Sequence, residues 1–332
     1  MKKQIEVFDY ANDILKAVKT GVLLTTKADD KVNTMTISWG TLGIEWGKTI
    51  FTVFVRENRF TKSQLDKNPE FTINIPVGEF NKKILGLAGT KSGHDMDKIK
   101  EIRRFFLLQV NDALFPIGGY SHSQGLETYI QQGIVHDEET AAEYIGKKLK
   151  LNLACTDLLG VRLAYEYALK EDVAALDMLE EILGASRIPM EQREASRKMG
   201  SRFTKTICKL PQENVPMEKR GIFEKYLETR KGKPVSHCCA YGVFCAALGI
   251  EEEETLYHYL YAQTSAMVTN CVKTIPLSQS AGQKLLCGCY GEFEEILSYI
   301  SDCTEDDLCL SAPGFDIRGI QHEKLYSRLY MS

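Results

Sequence analysis

No stretch of this 332-residue sequence approaches the roughly 18 uninterrupted apolar residues that a membrane-spanning helix requires. The opening MKKQIEVFDYANDI has basic residues but no apolar segment behind them, which argues against a secretory signal. There is no GxxxxGK(S/T) phosphate loop; Gly89-Thr90-Lys91-Ser92 comes nearest and lacks the glycine before lysine. Histidine is scarce, with six scattered residues and no His-rich tract, so a nickel store is not expected. Cysteine is missing before Cys155. The ten that follow, up to Cys309, include no paired CxxC units, because Cys238-Cys239 and Cys287-Gly288-Cys289 have the wrong spacing for a zinc ribbon. Without a signal they are expected to stay as free thiols in a reducing cytosol, packed as small hydrophobes.

What is present divides in two. Residues 1–101 carry 16 Lys/Arg and 13 Asp/Glu, a net charge of +3; the remainder carries 25 and 32, a net of −7. The acidic part is a poor electrostatic match for nucleic acid. The first part alternates like strands at residues 22–26, 34–39, 49–55 and 70–75, rich in β-branched and aromatic residues. Short helices are expected from Glu6 to Val18, stopping near Gly21, and from Arg59 to Asn68.

Beyond residue 101 the texture is helical throughout, which predicts an all-α bundle. Asp137 and Asp172 are placed to cap helices, the first followed by Glu138 and Glu139 at the positive end of the dipole. Gly184 is expected to stop the second of these helices. Pro189 and Pro234 suit first-turn positions. The run from Pro234 through Ala240, Val243, Phe244, Ala247 and Leu248 should end at Gly249. Glu251–Glu254 should open a helix that ends before Pro276, and Ser278 should cap one long helix reaching about Ser301. No Pro/Gly/Ser spacer marks the junction near Lys100–Arg104.

The segment Leu114-Phe115-Pro116-Ile117-Gly118-Gly119-Tyr120-Ser121-His122-Ser123-Gln124-Gly125-Leu126-Glu127-Thr128-Tyr129 resembles the signature of UreF-type urease accessory proteins. Lys198–Arg202, His237–Gly242, Thr269–Leu286 and the tail His322–Leu329 follow in the family's order, so the resemblance covers residues 102–332. It implies an all-α, often dimeric, non-catalytic scaffold in the cytoplasm that binds UreD (UreH in some species) and the GTPase UreG and acts on apo-urease. Nickel and GTP would belong to that assembly, with no metal or cofactor bound by this domain. The candidate partner contacts are Tyr120, His122 and Glu127 in the loop, and Arg318, His322, Glu323, Tyr326 and Arg328 in the tail. The tail either orders on binding UreD or packs as an amphipathic helix through Ile320, Leu325 and Leu329.

Residues 1–101 resemble part of another family, the flavin reductase-like FMN-binding split barrel, through Asn33–Trp39, Arg59-Phe60-Thr61, Phe71–Pro76 and Gly89–Asp95. The segment ends before the strands that close such a barrel. The fold class expected is therefore multidomain α and β, an incomplete split β-barrel followed by a helical bundle. The resemblance implies that Thr34, Thr36, Ser38, Trp39, Arg59, Thr61, Lys91 and Ser92 would meet FMN, hydroxyls and cations serving the phosphate. It leaves open a flavin-dependent oxidoreductase, or a fusion with both functions, as alternatives to the scaffold.

Two tempting chemistries fail on spacing. Gly119-Tyr120-Ser121-His122-Ser123 lacks the second glycine of a nucleophile elbow. His237, Cys238 and Cys239 are helical neighbours about 100° apart and cannot converge on one ion by themselves.

Overall fold

The computed structural model describes residues 6–75, 88, 93–310 and 312–332; the side chains of residues 93–98 and of Tyr120 also lie outside that description. The chain forms two compact units, Met1–Glu101 and Ile102–Ser332.

In the first unit a short 3₁₀ turn, Val7–Tyr10, leads into α1 (Ala11–Thr20), which Gly21 ends at φ 117°. Strands β1 (Val22–Ala28), β2 (Lys31–Ile37), β3 (Gly40–Glu45) and β4 (Lys48–Val53) follow, then α2 (Phe60–Lys67) and β5 (Phe71–Asn74). Asp29-Asp30 and Trp46-Gly47 join the first and second pairs of strands, all four residues at positive φ, as two-residue hairpins require. Val22, Leu24 and Ile37 pack with Val18 of α1 into a small core. Thr26 and Gln64, both buried, seat α2 on β1 through a 2.5 Å hydrogen bond.

The described strands lie in two separate sheets. β1 pairs antiparallel with β2 and β5, giving a three-stranded sheet in the order β2-β1-β5, while β3 and β4 pair with each other in a separate two-stranded ribbon. Among the described residues no ladder joins the two sheets; they show a small sheet region and do not show the incomplete split barrel that the resemblance implies.

The second unit is helical: α3 (Gly93–Asn111, in this unit from Ile102 on), α4 (Leu126–Gln131), α5 (Glu138–Lys148), a π-helical stretch (Leu149–Leu158), α6 (Leu159–Leu169), α7 (Val173–Ser186), α8 (Met190–Lys209), α9 (Arg220–Thr229), α10 (His237–Leu248), α11 (Glu252–Thr274), α12 (Gln279–Gly288), α13 (Tyr290–Asp302) and α14 (Pro313–His322). No helix among the described residues is long and apolar enough to cross a membrane.

Every residue of α10 is buried, as its nearly uninterrupted apolar sequence demands. Two glycines bring backbones together around it. A Cβ on Gly242 would lie 2.4 Å from the Val161 carbonyl oxygen of α6, and one on Gly200 of α8 would lie 2.1 Å from the Val235 carbonyl oxygen.

Local capping chemistry explains several boundaries. Asp137 accepts from the Thr140 N–H in a reciprocal capping box, Asp172 accepts from Ala175, Ser278 accepts from Ala281, and Gly249 closes α10 in the left-handed region. Three expectations need correction. Gly184 lies inside α7, which runs on to Ser186. Pro234 precedes α10, whose N-cap is Ser236, and Pro189 is the N-cap of α8 rather than a first-turn residue. The long helix after Ser278 is two helices, broken at Gly288-Cys289. Gly288 weakens a helix interior, and the chain turns there.

Candidate functional site: a tail latched to the signature loop

The segment around residues 117–127 is loop with tight backbone. Gly118, Gln124 and Gly125 have φ of 81°, 54° and 88°. A Cβ on Gly125 would stand 3.3 Å from the Gly319 nitrogen of α14, so the tail helix approaches this loop backbone to backbone. Glycine at both positions is what permits the approach.

Two sets of hydrogen bonds then fix the tail. In the first, the Ser123 N–H, the Gln124 N–H and the Ser123 hydroxyl all donate to the Ser332 backbone oxygen, at 2.6, 2.9 and 2.8 Å. The Met331 N–H donates to the Ser121 carbonyl (2.8 Å), and His122 Nδ1 meets the Ser332 hydroxyl at 2.9 Å. Asn270 of α11 holds the loop from behind by donating to the His122 carbonyl. Burial, helped by the nearby Lys198 and Arg202 cations, keeps the His122 pKa below its usual value, so the ring stays neutral.

In the second set, Glu127 is the hub. Its carboxylate, almost fully buried, accepts from the Leu329 N–H (2.7 Å) and the Tyr330 N–H (3.0 Å), and faces His322 Nε2 at 3.1 Å. The other ring nitrogen of His322, Nδ1, lies 2.7 Å from Glu191 of α8, which also pairs with Arg328. The two carboxylates thus flank the two ring nitrogens of His322.

These distances sort the sequence candidates. His122, Glu127 and His322 are buried and hold the tail. Glu323 accepts from the Met190 N–H at the start of α8 (2.9 Å), where the helix dipole favours a carboxylate. Arg318 stacks over Tyr129 at 5.7 Å. Arg328 is partly exposed, and Tyr326 is wholly exposed. The side chain of Tyr120 is outside the described residues. Ile320 and Leu329, expected on the packing face, point to solvent; Gly319, His322 and Tyr330 are buried instead. Sequence reading missed Glu191 and Asn270, since only the fold brings them to the loop.

Behind the loop lies a cavity of about 20 Å³, bordered by His122, Asp157, Arg187, Ser196, His237 and Tyr259. Asp157 and Arg187 form a buried ion pair at 2.6 Å. Burial alone would raise the Asp157 pKa, but the Arg187 charge and hydrogen bond override it and hold it below the usual range. His237 is pushed down to about 4 by burial, with Asp157 opposing and Arg187 assisting. Burial also raises the Cys239 thiol well above its usual value, so it is a poor metal ligand. All ten cysteines are free, and all but Cys208, Cys287 and Cys309 are buried. Among the described residues no cluster of three or more His, Cys, Asp or Glu could hold a metal ion.

His237 sets a pH dependence whose sign is fixed. An unfolded histidine binds its proton near pH 6.5, while the folded one resists until about 4. Between those values the unfolded state binds more protons, so stability is full above about 6.5 and falls as the pH drops. The expected loss approaches roughly 3 kcal/mol by pH 4, read as a falling urea midpoint. His237→Gln should flatten that limb; an unchanged slope in the variant would show that other groups cause it.

Three of the FMN candidates of the first unit have partners within it. Thr34 bonds Thr25 across the sheet (2.9 Å), the buried Thr61 accepts from Asn33 (2.8 Å), and Trp39 stacks with Arg56 at 5.0 Å. Thr36 lies in β2 one residue before its end, Ser38 is exposed just after the strand, and Arg59 is the N-cap of α2. Lys91 and Ser92 lie outside the described residues.

Comparison with known proteins matches the UreF family model to residues 135–290. The urease accessory protein UreF of Lachnoclostridium phytofermentans is 34% identical over 227 residues, 68% of this chain and 97% of that protein. The same-named proteins of Bacillus sp. strain TB-90 (34% over 232 residues, 69% and 99%) and Actinobacillus pleuropneumoniae serotype 3 (34% over 229 residues, 68% and 97%) are similar to it in the same way.

Proposed function

The chain belongs to the UreF family of urease accessory proteins and so serves urease maturation; within that role we propose that it is a non-catalytic scaffold. The observation that carries the reading is the identity running through nearly the whole of each relative. The scaffold would bind UreD (UreH) and UreG, and act as a homodimer on apo-urease. Nickel is the cargo of that assembly, and the chain needs no cofactor of its own. Its working surface would be the outward side of the latched tail, where Tyr326, Arg328 and Leu329 are displayed, with His122, Glu127 and His322 holding that surface in place. Tyr and Arg are the residue types that anchor interfaces.

Deleting Gly319 onward should leave a helical protein that no longer co-purifies with UreD. In urease-producing cells lacking the chain, the full-length protein should restore nickel-loaded urease and the truncated one should not. Normal co-purification of the truncated protein would place the partner surface elsewhere, and normal urease in cells without the chain would remove the scaffold role.

A further inference from the structure

A second concave feature has no part in the latch. It is a pocket of about 330 Å³ between α7, α8 and the turn after α9, with three arginines on its walls: Arg193, Arg197 and Arg230. Gly184 and Ala185 of α7 line it without bulk, so a ligand could reach the guanidinium groups.

The charges are not equally matched. Arg230 is answered by Asp177 at 2.6 Å and Glu181 at 2.8 Å, and its remaining nitrogens donate to the Pro234 carbonyl. Glu180, also on the wall, is occupied: its oxygens accept from Tyr226, from the Ser236 N–H and from the Ser236 hydroxyl. Arg193 is different. Its Nη1 donates to the Arg187 and Ile188 carbonyls, and among the described residues it forms no ion pair. Arg197 pairs with Glu194 through Nη1, while its Nε–H is buried without a partner.

Arg193 and Arg197 are one helical turn apart on α8, a spacing at which like charges repel. A buried guanidinium N–H without an acceptor is costly. An anion between them would offset that repulsion. Guanidinium forks match phosphate oxygens in pairs.

We propose that this pocket binds a phosphate group, free or as a small phosphate monoester, through Arg193 and Arg197. The site lies apart from the latched tail in sequence and does not depend on the scaffold reading.

The test titrates the full chain with inorganic phosphate at constant ionic strength, following the Arg197 Nε–H resonance and the thermal midpoint. A saturable shift with a raised midpoint is expected. R193Q and R197Q should each weaken binding by about tenfold or more, the scale of one charge-assisted hydrogen bond. R193K, which keeps the charge and loses the fork, should fall between. Arg193 also caps α7, so if R193Q loses helical signal, R197Q carries the test, because its one ion-pair partner is the half-exposed Glu194. Tighter binding of glycerol 3-phosphate than of phosphate would identify a monoester site; equal binding would identify free phosphate. A response that chloride reproduces, a preference for acetate or citrate, or a phosphate response unchanged in both glutamine variants would overturn the proposal.

Discussion

Replacing Gly242 with valine should destabilise the helical unit by about 3 kcal/mol or more, near the top of the range for overpacked cores. The reason is geometric. The first added carbon would sit 2.4 Å from the Val161 carbonyl oxygen and 3.1 Å from the Ala164 Cβ. The nearest atom is backbone, so no side chain can rotate away; α6 and α10 must separate, and every contact between them loosens. Valine adds two further methyl groups in a helix whose twelve residues are all buried. Gly184→Ala is the opposite case. That glycine also sits in a helix, in the last turn of α7, but a Cβ there meets nothing within 4 Å. Removing its excess backbone freedom should stabilise by about 0.5–1 kcal/mol. Urea midpoints of the two variants should move in opposite directions from the parent. A Gly242→Val protein as stable as the parent would mean that the helices are not packed this closely.

Glu127→Ala should release the tail while leaving the bundle folded. The substitution strands the Leu329 and Tyr330 N–H groups and leaves His322 with one carboxylate instead of two. Leaving a buried N–H without its acceptor costs about 1–3 kcal/mol, which is large for so short a docked segment. Amide exchange at Leu329, Tyr330 and Met331 should accelerate by orders of magnitude, and trypsin should cut at Lys324 and Arg328 before it touches the bundle. Glu127→Gln keeps an acceptor but loses the charge, and should give an intermediate rate. Undiminished protection of Leu329 and Tyr330 in the alanine variant would show that the Ser332 contacts hold the tail unaided. If the outward tail is the partner surface, UreD binding should track this exchange rate across the three proteins.

Sequence reading reached whatever local chemistry decides. Asp137, Asp172, Ser278 and Gly249 mark helix ends because capping involves only the next few residues. Gly184 misled because a glycine stops a helix only where the backbone turns left-handed, and tertiary packing carries α7 past it. The π-helical stretch at Leu149–Leu158 left no distinct trace, since its apolar spacing also fits an α-helix. In the signature segment, the glycines and the His/Glu pair were visible as a pattern. Their task was not, because Glu127 meets partners some two hundred positions away. The strands of the first unit were legible by alternation; their division into two sheets was not, because pairing depends on partners that periodicity does not name.

The latch also bears on how the chain is made. Ser123 and Ser332 are separated by 209 positions, so their contact adds to the most non-local part of the fold. Contacts of that span form late, after local helices and their neighbours have settled. On a ribosome the bundle can assemble while the loop at residues 121–127 still lacks every partner the tail supplies. The displayed face of Tyr326 and Leu329 therefore comes into being only once residues 319–332 have been made, and shorter nascent chains cannot compete with it for the same binding partner.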